Sequence, residues 1–266
     1  MNPLLTRSVA YIRKHALLLG IALLFVLLCA GYALGYRPGP SLTFVRVGTL
    51  VLTNVPAGGT VYADETRRTV STGKDIRLTL VPGSHSIIID VKGNNPWSDT
   101  VNITPRTDTI VSPINVPVTV QRTLLQGADA TKAQSVLAAY ALPNAAKPLV
   151  LGGGCVDVTV ENNRVLATMA TSTSCAPMPY LCVGGTCATT VVFAPITPLH
   201  SVVPYPGRQD ALIVSFGGNV AVLELNPLKP QFYAPLLQGG VAPAIAPWDA
   251  TSIVVHDDLR TFTIGL

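Results

Sequence analysis

Apolar and polar positions alternate along this chain in three regimes. The first is an unbroken apolar run, Ala16 to Tyr36, reading ALLLGIALLFVLLCAGYALGY with no charged residue. A helix rising about 1.5 Å per residue over that run spans roughly 30 Å, the hydrocarbon thickness of a bilayer. The second regime, from Gly48 to Thr104, consists of short runs of alternating polarity broken by turn residues. In Asp75–Val81 the residues Ile76, Leu78 and Leu80 fall on one face, and Arg77 and Thr79 on the other. Further runs at Thr49–Thr53, Thr60–Asp64, His85–Val91 and Asp99–Ile103 predict a small antiparallel β-sandwich.

The third regime, residues 148–266, is again β-rich. Runs at Val156–Val160, Arg164–Met169, Thr189–Phe193, Ala211–Ser215, Val220–Leu225, Ser252–Val255 and Thr261–Ile264 are separated by Gly, Pro, Asn and Asp. Gln209–Leu225 and Asp249–Leu266 repeat one motif, run, turn and run, at a spacing near 40 residues, which is the period of a propeller blade. The length holds about three such blades and a closed propeller needs at least four, so a partial propeller and an open meander both fit. Between the second and third regimes, Asn115–Arg122, broken by Pro117, reads as an edge strand or a linker. Asp129–Leu142 reads as a helix capped by Asp129 and stopped by Pro143.

Charge orients the first run. Arg7, Arg13, Lys14 and His15 precede it and no acid does, so the positive-inside bias puts residues 1–15 in the cytoplasm and the rest outside. A cleaved signal peptide shares these marks, but the apolar core is longer than the usual ~7–15 residues, which favours a retained anchor. Charged residues make up 12% of the chain, about half the usual soluble share of ~25%. The net charge of +4 comes from residues 1–40, and beyond them 14 basic residues balance 14 acidic ones. No basic stripe remains to track phosphates, so nucleic acid is excluded as a partner.

The predicted organisation is a cytoplasmic tail (1–15), a transmembrane signal anchor (16–36), a linker (37–47) and a β-sandwich (48–104). A connector with one short helix (105–147) and a disulfide-containing β-rich domain (148–266) follow. The fold class is mainly β.

Cys155, Cys175, Cys182 and Cys187 cluster in the exported part, and an even number there reads as two disulfides. Gly184-Gly185 suits a two-residue primed turn, which pairs Val183 with Thr186 and sets Cys182 opposite Cys187 in a non-hydrogen-bonded pair. Cys155 and Cys175 then form the second bridge. Zinc is the alternative, although no spacing is C-x-x-C and no His lies within the cluster.

Asn54 to Asp64 (NVPAGGTVYAD), Leu80 to Ile87 (LVPGSHSI), Gly93 and Pro96-Trp97 together resemble a PEGA domain over residues 47–104. Ala57 stands where the family's eponymous Glu is common. The resemblance implies a small β-sandwich of a prokaryotic envelope protein, without catalytic residues to carry over. The arrangement is also similar to anchored envelope proteins in which propeller-like repeats follow such a module.

Catalytic signals are sparse. Ser84-His85-Ser86 reads as a turn with a solvent-facing imidazole, His256-Asp257-Asp258 as a turn, and Gly152-Gly153-Gly154 as a strand end rather than a phosphate loop. Tyr62, Trp97 and Trp248 are the candidates for stacking on a ligand, and the competing reading is that each packs its own core. The sequence therefore predicts a non-catalytic single-pass protein of the cytoplasmic (inner) membrane, without cofactor or metal. Its β-rich surfaces would contact surface glycan, cell-wall polymer or another envelope protein. The alternatives are a subunit of an envelope secretion or surface-appendage assembly, and an envelope hydrolase in which at least two of His200, Asp210, Glu224, Asp257 and Asp258 converge.

Overall fold

The computed structural model describes residues 3–38, 43–170, 175, 178, 180–183, 186–258 and 260–266, with the side chains of 3–14, 17, 19 and 183 left undescribed. The chain is mainly β. Clustering of its backbone divides it into two compact units. One comprises Met1–Thr53, Asp75–His85 and Asn102–Val111; the other comprises Asn54–Lys74, Ser86–Val101 and Ser112–Leu266.

The first unit carries helix α1, Pro3–Ala33. It ends at Ala33 rather than Tyr36, because Gly35 takes a positive φ of 81° and reverses the chain. Tyr36–Pro38 then forms a short antiparallel pair with Phe44–Arg46, so the expected linker already contains structure. Among the described residues no helix is long and apolar enough to cross a membrane. The anchor expected over 16–36 includes Leu17 and Leu19, whose side chains lie outside the described residues. The large apolar side chains that are described along α1 stand open, with Leu18 62%, Phe25 66% and Val26 60% exposed.

The same unit holds a three-stranded sheet in the order Ile76–Leu80, Gly48–Leu52, Asp108–Val111. Ile76, Leu78 and Leu80 lie inward of the exposed Arg77 and Thr79, as the alternation predicts. The pairing of Gly48–Leu52 with Asp108–Val111 is parallel, against the antiparallel expectation. A parallel pair requires a long connection between its strands, and here the whole intervening module supplies it. The expected solvent-facing imidazole of His85 is instead buried, with Nε2 2.8 Å from the Val81 carbonyl oxygen.

A four-stranded antiparallel sheet runs in the order Thr66–Val70, Thr60–Ala63, Gly83–Asp90, Trp97–Ile103. Its strand Thr66–Val70 carries three exposed residues in succession and offered no apolar alternation to read. The turn before it is made by Asp64 and Glu65, both at positive φ. In the second unit Asn115–Arg122, expected as an edge strand or a linker, is largely irregular. Only an Asn94–Pro117 bridge and a short strand, Arg122–Leu124, appear there. Helix α2 spans Gly127–Ala139; Gln126 occupies the N-cap without a side-chain bond, and Asp129 falls in the first turn.

Three four-stranded sheets follow. The first joins Leu149–Leu151, Val156–Glu161, Arg164–Met169 and Thr190–Phe193; the second joins Leu199–Pro204, Ala211–Phe216, Asn219–Glu224 and Tyr233–Leu237. The third joins Ala244–Pro247, Ser252–Asp257 and Arg260–Gly265, and its outer place is taken by Arg122–Leu124, which pairs with Arg260–Gly265. The first strand of each sheet packs on the first strand of the next. The first and second sheets share one core, in which Val156, Val158, Val165, Val202, Leu212 and Leu225 are fully covered. Phe193 meets Phe216 edge-on at 5.0 Å within it. Leu199–Pro204 escaped the pattern reading because the polar Ser201 sits buried on its covered face, and Ala244–Pro247 because it is only four residues long and ends in a Pro.

Candidate functional site

Glu224 ends a strand, Asn219–Glu224, in which every residue after the first is buried, so its carboxyl is carried inside with only 5% of the residue exposed. Its cross-strand partner is Ala211, which brings Asp210 alongside, and the Asp210 carbonyl accepts the Leu225 N–H at 2.8 Å. The turn Tyr205–Arg208 needs Gly207 at a φ of 71° and sends Arg208 back over the strand end. Arg208 grips Asp210 bidentately, with Nε and Nη2 each 2.9 Å from a carboxylate oxygen. Its Nη2 also donates to the Ser112 carbonyl at 2.7 Å and lies 4.0 Å from Glu224 Oε1.

The opposing wall comes from the Trp97–Ile103 strand. Trp97 is 2% exposed and its indole N–H donates to Glu224 Oε1 at 2.7 Å. Asp99 Oδ1 accepts the Thr100 N–H at 2.7 Å and the Asn226 amide at 2.6 Å. Thr100 Oγ1 donates to the Lys229 carbonyl at 2.7 Å, and Gln231 Nε2 donates to the Glu224 carbonyl at 2.9 Å. Residues 97–100 and 208–231 are thus laced together by a polar network inside a largely apolar body.

Two carboxyl groups, Asp210 and Glu224, share the Arg208 guanidinium, with Asp99 in the same network through Asn226, and the electrostatics follow. Burial, reinforced by the charges of Asp99 and Asp210, pushes Glu224 up to about 8 against the opposing pull of the Trp97 bond and Arg208. Burial raises Asp99 to about 6, with the Thr100 and Asn226 bonds opposing and Asp210 adding to the rise. Burial and the three carboxylates together raise the Tyr180 hydroxyl. At neutral pH Glu224 is therefore a protonated acid. A carboxyl held neutral can donate a proton or a hydrogen bond, and here it accepts the indole N–H within a covered network.

No family model and no curated protein matches this chain.

The cysteines pair as Cys155–Cys175 and Cys182–Cys187. The register sets Cys182 opposite Cys187 and Val183 opposite Thr186, and the Ala188 N–H bonds the Leu181 carbonyl at 3.0 Å, which makes the cysteine pair the non-hydrogen-bonded one. The thiolates that zinc would need are consumed, so that alternative is removed. Among the described residues no group of three or more His, Cys, Asp or Glu could hold a metal ion. The disulfides point to an oxidising, extracytoplasmic location. Gly152, Gly153 and Gly154 form a positive-φ turn before Cys155, as a strand end would.

The aromatic candidates fall in unlike settings. Trp97 presents no open ring face, and its edge is occupied by Glu224. Trp248 is half-buried against Ala133, Ala246 and Val254, with Lys132 Nζ 4.6 Å from the centre of its ring. Tyr62 is half-buried, opposite Arg67 and Ile88 in its sheet. Of the five residues named for a hydrolase, Asp210 and Glu224 come together at Arg208. His200 is half-buried on the Leu199–Pro204 strand, Asp257 accepts the Val241 N–H at 2.6 Å, and Asp258 takes a turn φ of 54°. His256, outside that set, bonds Thr261. Asp99 and Asn226 were missed because partners 127 residues apart leave no local pattern, and Arg208 because its bond to Asp210 two residues on looks in sequence like an ordinary turn pair.

Proposed function

We propose that this chain is a non-catalytic, single-pass protein of the prokaryotic cytoplasmic membrane, which holds a β-rich binding scaffold on the outer side. The observation that carries the reading is the join of two unlike parts. Apolar side chains of α1 stand exposed, and bilayer would cover them, while the rest of the chain is a disulfide-bonded β body. The strands and turns of residues 48–104 support a PEGA-like module. The serial packing of first strands, and the completion of the last sheet by an N-terminal strand, support a propeller-like second part. The buried network supports a structural role for the carboxyls, since Glu224 is occupied by Trp97 rather than facing an open approach.

The test is retention of the detergent-solubilised full chain, with disulfides intact, on isolated cell-wall polymer, and recovery of partners from solubilised envelope. Saturable retention on polymer assigns a glycan-binding module. One stoichiometric protein partner moves the assignment to a secretion or appendage assembly. Failure of both overturns the binding role.

One observation favours a second reading, an envelope hydrolase. Two carboxyl groups with raised proton affinity, Glu224 and Asp99, lie within one network, as catalytic acids do. Hydrolysis of wall polymer by the native chain, abolished in a folded Glu224→Gln variant, would establish it.

A further inference from the structure

Where α1 meets the hairpin of Tyr36–Pro38 and Phe44–Arg46, a cleft of about 320 Å³ opens, lined by Leu24, Leu27, Leu28, Gly31, Tyr36 and Phe44. That volume falls within the roughly 300–1,000 Å³ of small-molecule clefts. Its wall is almost wholly apolar, and Gly31 leaves it open: a Cβ built there would meet nothing within 4 Å.

Two guanidinium groups lie against tyrosine rings of this segment, one of them the Tyr36 ring that lines the cleft. Arg46 pairs with Tyr36 across the strands, and its guanidinium lies 5.2 Å from the centre of the Tyr36 ring. Arg46 Nε is buried and, among the described residues, has no hydrogen-bond partner. Arg37 lies 3.3 Å from the centre of the Tyr32 ring and donates to the carbonyls of Tyr32 and Tyr36 at 3.0 Å each. The sequence contains no Asp or Glu before Asp64, so no carboxylate of this segment competes for these cations. An apolar cleft with a guanidinium at its edge matches a ligand with a hydrocarbon chain and an anionic head. Arginine's planar fork suits a phosphate diester.

We propose that this cleft binds one anionic phospholipid of the outer leaflet, with an acyl chain lying along Leu24, Leu27, Leu28 and Phe44 and the phosphate on Arg46. The inference rests on the anchored reading of α1, which brings the cleft to the depth of lipid chains and Tyr32 and Tyr36 to the interfacial zone favoured by aromatic residues. Bound lipid would fasten the hairpin to the helix and fix how the chain leaves the membrane.

The test places the full chain in nanodiscs of phosphatidylcholine alone or mixed with phosphatidylglycerol, and counts the lipids retained by native mass spectrometry. One phosphatidylglycerol per chain is expected. Gly31→Leu fills the cleft and should abolish retention. Gly20→Leu, a like change at a helix glycine outside the cleft, should preserve it. Arg46→Gln should weaken retention about tenfold, the effect of one charge-assisted bond, with partial rescue in Arg46→Lys. Insertion without retained lipid, or equal retention of phosphatidylcholine, overturns the proposal and leaves the anchor standing. A lipid-free dimer assigns the cleft to a second copy and overturns it also. A chain that enters neither nanodisc overturns the anchor itself, and the proposal with it.

Discussion

Replacing Glu224 by Gln should remove most of the pH dependence of stability above neutrality. Folded Glu224 keeps its proton to about 8, whereas its ordinary value is 4.5. Between those values the folded state binds one more proton than the unfolded chain, so stability falls as pH rises. The contribution is full below pH 4.5 and lost as pH passes 8. Asp99 behaves alike but completes its loss by about 6. The window from pH 6.5 to 8 thus belongs to Glu224 among these two groups. At about 1.36 kcal/mol per pH unit, levelling as the folded group itself titrates, the loss there is roughly 1.5–2 kcal/mol. For a body of this size it corresponds to a fall of about 3–8 °C in melting temperature. Gln keeps the oxygen that accepts the Trp97 N–H at 2.7 Å and cannot ionise. Melting curves of wild type and Glu224→Gln in detergent, followed by tryptophan fluorescence, measure the difference. The wild type should lose its few degrees between pH 6.5 and 8, and the variant should stay level. Parallel loss in both would refute the assignment of Glu224 as a buried acid that is neutral at pH 7.

Trp97→Phe removes only the indole donor and part of the ring. It should cost about 1–3 kcal/mol, the usual penalty for stranding a buried acceptor, read as a lower melting temperature at pH 6. Losing Cys155–Cys175, which closes a separation of 20, should cost about 1 kcal/mol more than losing Cys182–Cys187, which closes one of 5. Cys→Ala pairs compared by denaturant midpoint decide it, and the reverse order would count against loop closure as the cause. Gly218→Ala would drive its Cβ into the Gly240 carbonyl, in a place where the Gly240 N–H bonds the Gly218 carbonyl at 2.8 Å. A loss of about 1–3 kcal/mol is expected, and an unchanged melting temperature would show that the two segments part freely.

Local chemistry was legible in the sequence and long-range chemistry was not. The Cys182–Cys187 pairing could be read because the sequence Gly184-Gly185, which lies outside the described residues, suits a two-residue turn, and register follows from such a turn. Arg164–Met169 could be read to the residue because one of its faces is covered and the other partly open, so polarity alternates. Leu199–Pro204 could not, since the polar Ser201 lies buried on its covered face and breaks the alternation. The Arg122–Leu124 strand is exposed throughout and owes its existence to Arg260–Gly265, far along the chain. The Glu224 network fails to show for the same reason. Its members are ordinary residues of separate strands and turns, and only folding reveals that Trp97 and Asp99 meet Glu224 and Asn226. Trp97 illustrates the cost of reading residue type alone, because a ring suited to stacking serves instead as a buried donor.

The most direct test of the anchored, outward-facing account is membrane topology of the full chain expressed in a bacterium. Membranes would be washed in alkaline carbonate, and spheroplasts would be treated with protease in parallel. The account predicts that the chain stays in the carbonate-resistant pellet and that protease added outside removes the β body from intact spheroplasts. Release by carbonate, or a β body protected until the cells are lysed, would contradict it.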